Sequence, residues 1–176
     1  MIHVALLRGI NLASKRRVAM ADLRAWLTDL GYTDVRTLLQ SGNAVFRTPK
    51  RPATVRKEME KALAEGAGFR IDCVLRTAAE LRAVVDLNPF SDVATDPSRY
   101  HVSFLDVLGT WPEIDPAAYE PERVHLAERE AYFWLPGGAQ KSRIMAAFPA
   151  RKGEVATVRN WNTVTKLLAM AAEKIN

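Results

Sequence analysis

The pattern of apolar and polar positions divides the first half of the chain into six elements. A short apolar run from Ile2 to Leu7 predicts a buried strand. Apolar residues at helical spacing then predict a helix from Met20 to Leu30, which Gly31 ends. The remaining elements are strands at Val35–Leu39, Ala44–Thr48 and Ile71–Arg76 and a helix that includes Val55–Leu63. The order β-α-β-β-α-β predicts a ferredoxin-like two-layer plait.

The second half of the chain has a less regular pattern. Its predicted elements are a helix at Glu80–Leu87, a strand at Tyr100–Val107, a short helix at Ala117–Tyr119, a hairpin of Arg123–Leu126 and Ala131–Leu135, a helix at Ser142–Phe148 and a final helix from about Asn160 to Lys174. Thr157 and Asn160 are both candidate N-caps of the last helix. We therefore predict an α+β protein, with a ferredoxin-like subdomain at residues 1–76 joined to a second α+β subdomain at residues 77–176. The β-β-α content of the second half is compatible with a degraded second plait.

The length and cysteine content of the chain indicate that it folds without disulfide bonds. A chain of 176 residues buries enough surface to fold without disulfides or metals. Cys73 is the single cysteine, which excludes an intrachain disulfide, and we expect it on the apolar face of the fourth strand. The apolar runs are shorter than the roughly 20 residues that cross a bilayer, and no signal-peptide pattern opens the chain. We expect a cytoplasmic monomer without membrane contact.

Charge is distributed unevenly behind a net charge of +5. Residues 1–76 have a net charge of +7, residues 77–138 of −7 and residues 139–176 of +5. In one interpretation, both basic segments face a shared anion. In the other, the opposite charges dock the segments on each other or lie on solvated faces.

The predicted topology brings polar and basic residues of the first half together. A crossover helix joins strands one and two, so the two strands run in the same direction. The end of strand one and the turn after strand two then lie at one edge of the sheet. The candidate ligand-binding residues at this edge are Arg8, Asn11, Lys15, Arg17, Gln40, Ser41 and Asn43. Arginine offers a planar donor fork for phosphate or carboxylate. Two structural alternatives stay open: Arg8 pairs with Asp22 or a carbonyl, and Gln40–Asn43 is ordinary turn chemistry.

A second set of candidate residues lies towards the end of the chain. Lys141 and Ser142 follow two glycines, but Gln140 replaces the glycine that a phosphate loop needs before its lysine, so only a looser anion site is predicted. Arg159, Asn160 and Lys166 lie at the start of the final helix, where free N–H groups attract anions. The alternative is that Asn160 is a simple N-cap.

The histidines do not form a metal motif. His3, His101 and His125 have no ligand spacing among them, and we expect neither a metal nor a cofactor. No arrangement of serine or cysteine with histidine indicates a nucleophile.

Several segments, taken in order along almost the whole chain, resemble one bacterial family. They are Val4–Asn11, Met20–Arg24, Gln40–Phe46, Asn88–Phe90, Pro136–Gly137, Lys141–Arg143 and Thr157–Leu167. The family is the domain of unknown function 1697. The resemblance implies a ferredoxin-type α+β half joined to a second α+β half, and because the family's activity is unassigned it implies no catalytic residue. Met145–Pro149 departs from the more polar run that the family pattern has there.

These observations favour a binding protein for a phosphorylated or other anionic small molecule. An enzyme acting on such a molecule is the first alternative, with Asn11, Ser41, Asn43 or Asn160 placing the reacting group. The second alternative is an adaptor for nucleic acid or protein. Phe46 is the one aromatic residue on strands one and three, which counts against RNA recognition by base stacking. The Trp111–Pro116 loop is the candidate protein contact.

Overall fold

The computed structural model describes residues 1–172, which divide into two compact units. Among the described residues, the first unit contains residues 1–83 and 166–172, and the second contains Val84–Thr165. Each unit contains one four-stranded sheet in which every neighbouring pair of strands is antiparallel. Helices combined with antiparallel sheets make this an α+β protein, as the sequence predicts.

The first unit has the predicted β-α-β-β-α-β order. Its elements are β1 (Ile2–Leu7), α1 (Met20–Asp29), β2 (Thr33–Leu38), β3 (Asn43–Arg47), α2 (Pro52–Ala67) and β4 (Cys73–Thr77). The strands lie in the order β2-β3-β1-β4, which is that of a ferredoxin-like plait. Alternate β1 residues Ala5 and Leu7 pack in one core with Leu23 of α1 and Met59 of α2. His3, Val4 and Leu6 of β1 are buried too, which explains why apolar residues do not alternate with exposed polar ones along this strand.

Burial of both sheet faces also corrects the prediction for the fourth strand. The sequence pattern predicts a half-buried strand from Ile71 to Arg76, but β4 begins at Cys73, and Arg76 is only 2% exposed. Period-two alternation identifies a strand with one solvated face, and this sheet has none at that position. Cys73 is buried, as predicted.

The second unit repeats the strand order of the first. Its strands are β5 (Tyr100–Leu105), β6 (Arg123–Leu126), β7 (Glu130–Trp134) and β8 (Ala156–Asn160), and its short helix is α4 (Arg143–Ala146). The helices α3 (Ala78–Leu87) and α5 (Trp161–Ala172) each have residues in both units. The order β6-β7-β5-β8 places the second, third, first and fourth strands as in the first unit. A loop with a 3₁₀ turn at Pro116–Tyr119 replaces the first crossover helix, and the four-residue α4 replaces the second. The second half is thus a reduced plait.

Two predictions at the end of the chain are wrong. Thr157 is not an N-cap, because Ala156–Asn160 is the strand β8. The final helix begins at Trp161, as predicted, and Asn160 caps it by accepting a hydrogen bond from the amide of Thr163. The inward positions of β8 include Thr157 and Arg159, and polar residues at buried positions hide a strand from an apolar pattern. The predicted helix Ser142–Phe148 shrinks to α4. Lys174, the predicted end of the final helix, lies outside the described residues.

A buried histidine links the stability of the first unit to pH. His3 is fully buried and stacks on Phe46, which in turn stacks on Tyr32. Burial lowers the pKa of His3 below its ordinary value of 6.5. The unfolded chain therefore binds this proton more readily than the folded protein does, and the free energy of unfolding falls as pH drops below 6.5.

Replacing His3 with leucine should reduce this acid sensitivity. Between about pH 7.5 and about pH 5.5, the variant should lose less unfolding free energy than the parent, because it lacks the buried histidine that takes up a proton on unfolding. The difference is at most about 1.4 kcal/mol per pH unit. Urea unfolding at the two pH values measures the difference. His125→Gln, at an exposed histidine, is the matched control. Equal pH dependence in the parent and His3→Leu would contradict the prediction.

Candidate anion-binding rim

The sheet of the first unit brings the predicted residues of the first half to one edge. Both β1 and β2 run antiparallel to β3, and Leu6 and Leu38 both pair with Asn43. The amide of Leu7 donates a 2.8 Å hydrogen bond to the carbonyl of Gly42. The end of β1 and the β2–β3 turn are therefore neighbours, which confirms the predicted convergence. Residues 8–17 and 39–43 are called the basic rim below.

The side chain of Asn11 connects the two loops of the basic rim through hydrogen bonds. Its side-chain amide donates hydrogen bonds to the carbonyls of Val18 (2.8 Å) and Gln40 (2.7 Å). Its side-chain oxygen accepts a 2.9 Å hydrogen bond from the amide of Val18. Asn11 has a φ of +53°, a left-handed conformation that asparagine tolerates better than most residues. The Asn11 carboxamide therefore stabilises the conformation of the rim. Local sequence patterns do not predict its hydrogen bond to Gln40, because the two residues are 29 positions apart.

Arg16 also serves the structure of the rim. Its Nε donates to the carbonyl of Gly9 (2.8 Å) and its Nη2 to the carbonyl of Arg70 (2.7 Å). The guanidinium lies 4.6 Å from the ring centroid of Phe69. The loop between β1 and α1 is thereby attached to the chain that enters β4.

The β2–β3 turn shows the hydrogen bonding expected of ordinary turn chemistry. The side-chain amide of Asn43 donates to the carbonyl of Leu38 (2.7 Å) and to Oγ of Ser41 (3.2 Å). Asn43 is fully buried, whereas Gln40 and Ser41 are exposed. Asn43 therefore shapes the turn, and its two exposed neighbours face solvent.

Three basic side chains of the rim are available to a ligand. Arg8, Lys15 and Arg17 are exposed, and within residues 1–172 their charged groups form neither a hydrogen bond nor an ion pair. The nearby carboxylate of Asp72 is already paired with Arg70 at 2.8 Å. The rim thus displays positive charge on a loop whose backbone is held in place.

Two leucines accompany these cations. Leu12 is 66% exposed and Leu39 is 58% exposed, one on each loop of the rim. Leu39 has a φ of +60°, and its carbonyl accepts a 3.2 Å hydrogen bond from Gly42. The rim is therefore basic and partly apolar, a combination that the sequence pattern did not indicate.

The other predicted residues lie elsewhere in the two units. Lys141 is exposed in a 3₁₀ turn, and Oγ of Ser142 accepts a hydrogen bond from the amide of Met145 (3.1 Å) as the N-cap of α4. The side-chain oxygen of Asn160 accepts hydrogen bonds from the amide and hydroxyl of Thr163 at the start of α5. Lys166 is exposed on α5 in the first unit.

Arg159 lies on a strand and not at a helix start. It is 9% exposed, and its Nη1 donates to Oγ1 of Thr157 (2.7 Å) and to the carbonyl of Val158 (2.9 Å). Burial lowers its pKa to about 10, so the guanidinium stays charged at neutral pH. Both hydrogen bonds are to residues of β8, so Arg159 has a structural role in the second sheet.

The comparisons with known proteins identify a family and a fold. A family model described as "Protein of unknown function (DUF1697)" matches residues 1–132. Among solved structures, the chain is similar to the conserved bacterial protein SP0830 from Streptococcus pneumoniae, with 20% sequence identity and a TM-score of 0.71. The superposition covers 97% of this chain and 98% of that one, and at this identity it shows the fold alone. No curated protein matches the chain.

Residues 1–172 contain neither a candidate metal-binding cluster nor a candidate membrane-spanning helix. No cluster of three or more His, Cys, Asp or Glu residues there is placed to hold a metal ion. None of the helices in this range has the length and apolar character to cross a membrane.

Proposed function

The chain belongs to the DUF1697 family of proteins of unknown function, and from that premise we propose that it binds a phosphorylated or other anionic small molecule at the basic rim. The observation that carries the proposal is the exposure of Arg8, Lys15 and Arg17 without acidic partners in residues 1–172. An unpaired guanidinium binds phosphate or carboxylate through two parallel N–H donors.

The fixed shape of the rim supports binding. Asn11 and Arg16 hold the loop through five hydrogen bonds, so the exposed cations are displayed on an ordered backbone. An ordered loop loses less conformational entropy when a ligand binds than a mobile one does. Exposed Leu12 and Leu39 add a surface for an apolar part of the ligand.

Binding is a better fit to this rim than catalysis. A catalytic site needs an acid or base whose pKa matches its task. The rim, at residues 8–17 and 39–43, contains no His, Asp, Glu, Cys or Tyr that could act as a general acid or base. Nucleic-acid recognition by stacking is disfavoured because Phe46 is fully buried on the helix side of its sheet.

Replacing Arg8 with alanine should weaken anion binding by about 10- to 100-fold, since a hydrogen-bonded charge contributes about 1.5–3 kcal/mol. Calorimetric titration with pyrophosphate at low salt measures this, followed by a panel of sugar phosphates and nucleotides. Arg51→Ala is the matched control. Arg51 is an exposed arginine that follows the other end of β3, at the opposite edge of the sheet.

The outcome distinguishes a site on the rim from general charge attraction. Arg8→Lys should recover part of the affinity, because it keeps the charge and loses the planar fork. Equal weakening by Arg8→Ala and Arg51→Ala would show that only net charge matters. No saturable binding of any anion at low salt would overturn the proposal.

A further inference from the structure

The second unit contains an aromatic cavity that is separate from the basic rim. Trp111, Phe133 and Phe148 line it, with Ser103, Thr110 and Glu154 as its main polar residues. All of these residues belong to the second unit. The sequence pattern assigns Trp111 to a surface loop for a partner protein, but in the fold this side chain is half-buried and forms part of the cavity wall.

The aromatic walls of the cavity are held in fixed orientations. Nε1 of Trp111 donates a 2.8 Å hydrogen bond to the carbonyl of Ala127. The indole packs so closely on Gly109 that a β-carbon there would lie 2.4 Å from it. Phe148 is inclined by 68° to Trp111 and by 65° to Phe133, with ring centroids 6.2 Å and 5.7 Å apart. The three rings line the cavity, and the negative face of an aromatic ring attracts a cation.

The polar side chains of the cavity can all accept hydrogen bonds, and the hydroxyl groups of Ser103 and Thr110 can also donate. Glu154 is the only lining residue with a charged side chain, and its Oε2 accepts a 2.9 Å hydrogen bond from the amide of Arg151. Within residues 1–172, its Oε1 and the hydroxyl groups of Ser103 and Thr110 have no hydrogen-bond partner. A primary ammonium group has three donors and no acceptor, so it complements these three oxygens.

The small volume of the cavity favours a primary ammonium group over a larger, methylated one. Its volume is about 20 Å³, and roughly 10–15 Å³ is enough for one water molecule. A terminal ammonium group is about as large as water, whereas a trimethylammonium group carries three additional methyl groups. We propose that the cavity formed by Trp111, Phe148 and Glu154 binds the primary ammonium group of a small organic amine.

The test follows the Trp111 indole N–H resonance of the full chain by NMR. Methylammonium, tetramethylammonium and methanol are titrated separately at constant ionic strength. Only methylammonium should give a saturable shift, because methanol lacks the charge and tetramethylammonium lacks both donors and fit. A lysine with blocked backbone groups is the fourth probe: weaker binding than methylammonium supports a small amine as the ligand, and tighter binding would replace it with a lysine side chain.

Variants separate this site from nonspecific charge effects. Glu154→Gln keeps an acceptor for the Arg151 amide and should weaken methylammonium binding by about 10-fold or more. Glu128→Gln is the control, because Glu128 is an exposed carboxylate that does not line the cavity. The proposal fails if methylammonium gives no saturable shift, if tetramethylammonium binds equally well, or if Glu154→Gln binds like the parent.

Discussion

Replacing Gly42 with alanine should lower the free energy of unfolding by about 2–5 kcal/mol. Gly42 has a φ of +87°, where a side chain costs about 1–2 kcal/mol. The new β-carbon would lie 2.7 Å from Cδ1 of Ile10 and 2.9 Å from Cβ of Leu7. Such overpacking adds about 1–3 kcal/mol. Urea unfolding of parent and variant measures the change.

Gly68 provides the matched control for this substitution. It ends α2 with a φ of +77°, but nothing lies within 4 Å of the position its β-carbon would take. Gly68→Ala should therefore cost only the conformational part, about 1–2 kcal/mol. Equal losses in the two variants would mean that the packing of Ile10 and Leu7 around the turn contributes nothing. Gly42→Ala should also reduce pyrophosphate binding, because the turn is half of the basic rim.

Replacing Phe46 with alanine should have the largest effect on stability, a loss of about 3–5 kcal/mol. Phe46 is fully buried on β3 and stacks between His3 and Tyr32, with ring centroids at 5.7 Å and 4.8 Å. The substitution removes this contact area and leaves a cavity in the core of the first unit. Chemical denaturation at neutral pH measures the loss.

Leu12→Ala is the control for Phe46→Ala. It also truncates a large apolar side chain, but Leu12 is 66% exposed, so its replacement should change stability by no more than about 0.5 kcal/mol. A loss below about 1 kcal/mol in Phe46→Ala would contradict the stacked core described above. Because Leu12 lies on the rim, the same variant also reports whether the exposed leucines contribute to ligand binding.

The amino-acid sequence alone determined the fold class and the position of the candidate rim. The apolar run before Arg8, the amphipathic helix that follows and the glycine turn at Gln40–Asn43 are local features. Together they identify a plait in which β1 and β2 are parallel. That topology places Arg8 next to the turn without knowledge of any side-chain contact, because strand direction follows from the order of the elements.

Tertiary structure decided what the individual residues do. Asn11 and Asn43 have their amides occupied by bonds that shape the rim. The charged groups of Arg8, Lys15 and Arg17 have no such partner within residues 1–172. Strand β8 was missed because it buries Thr157 and Arg159, polar residues whose hydrogen bonds compensate for their burial. The aromatic cavity brings together Trp111 and Phe148, which are 37 positions apart in the sequence. Periodicity reports the neighbours of a residue along the chain, whereas burial and hydrogen bonding depend on partners that only the folded chain brings close.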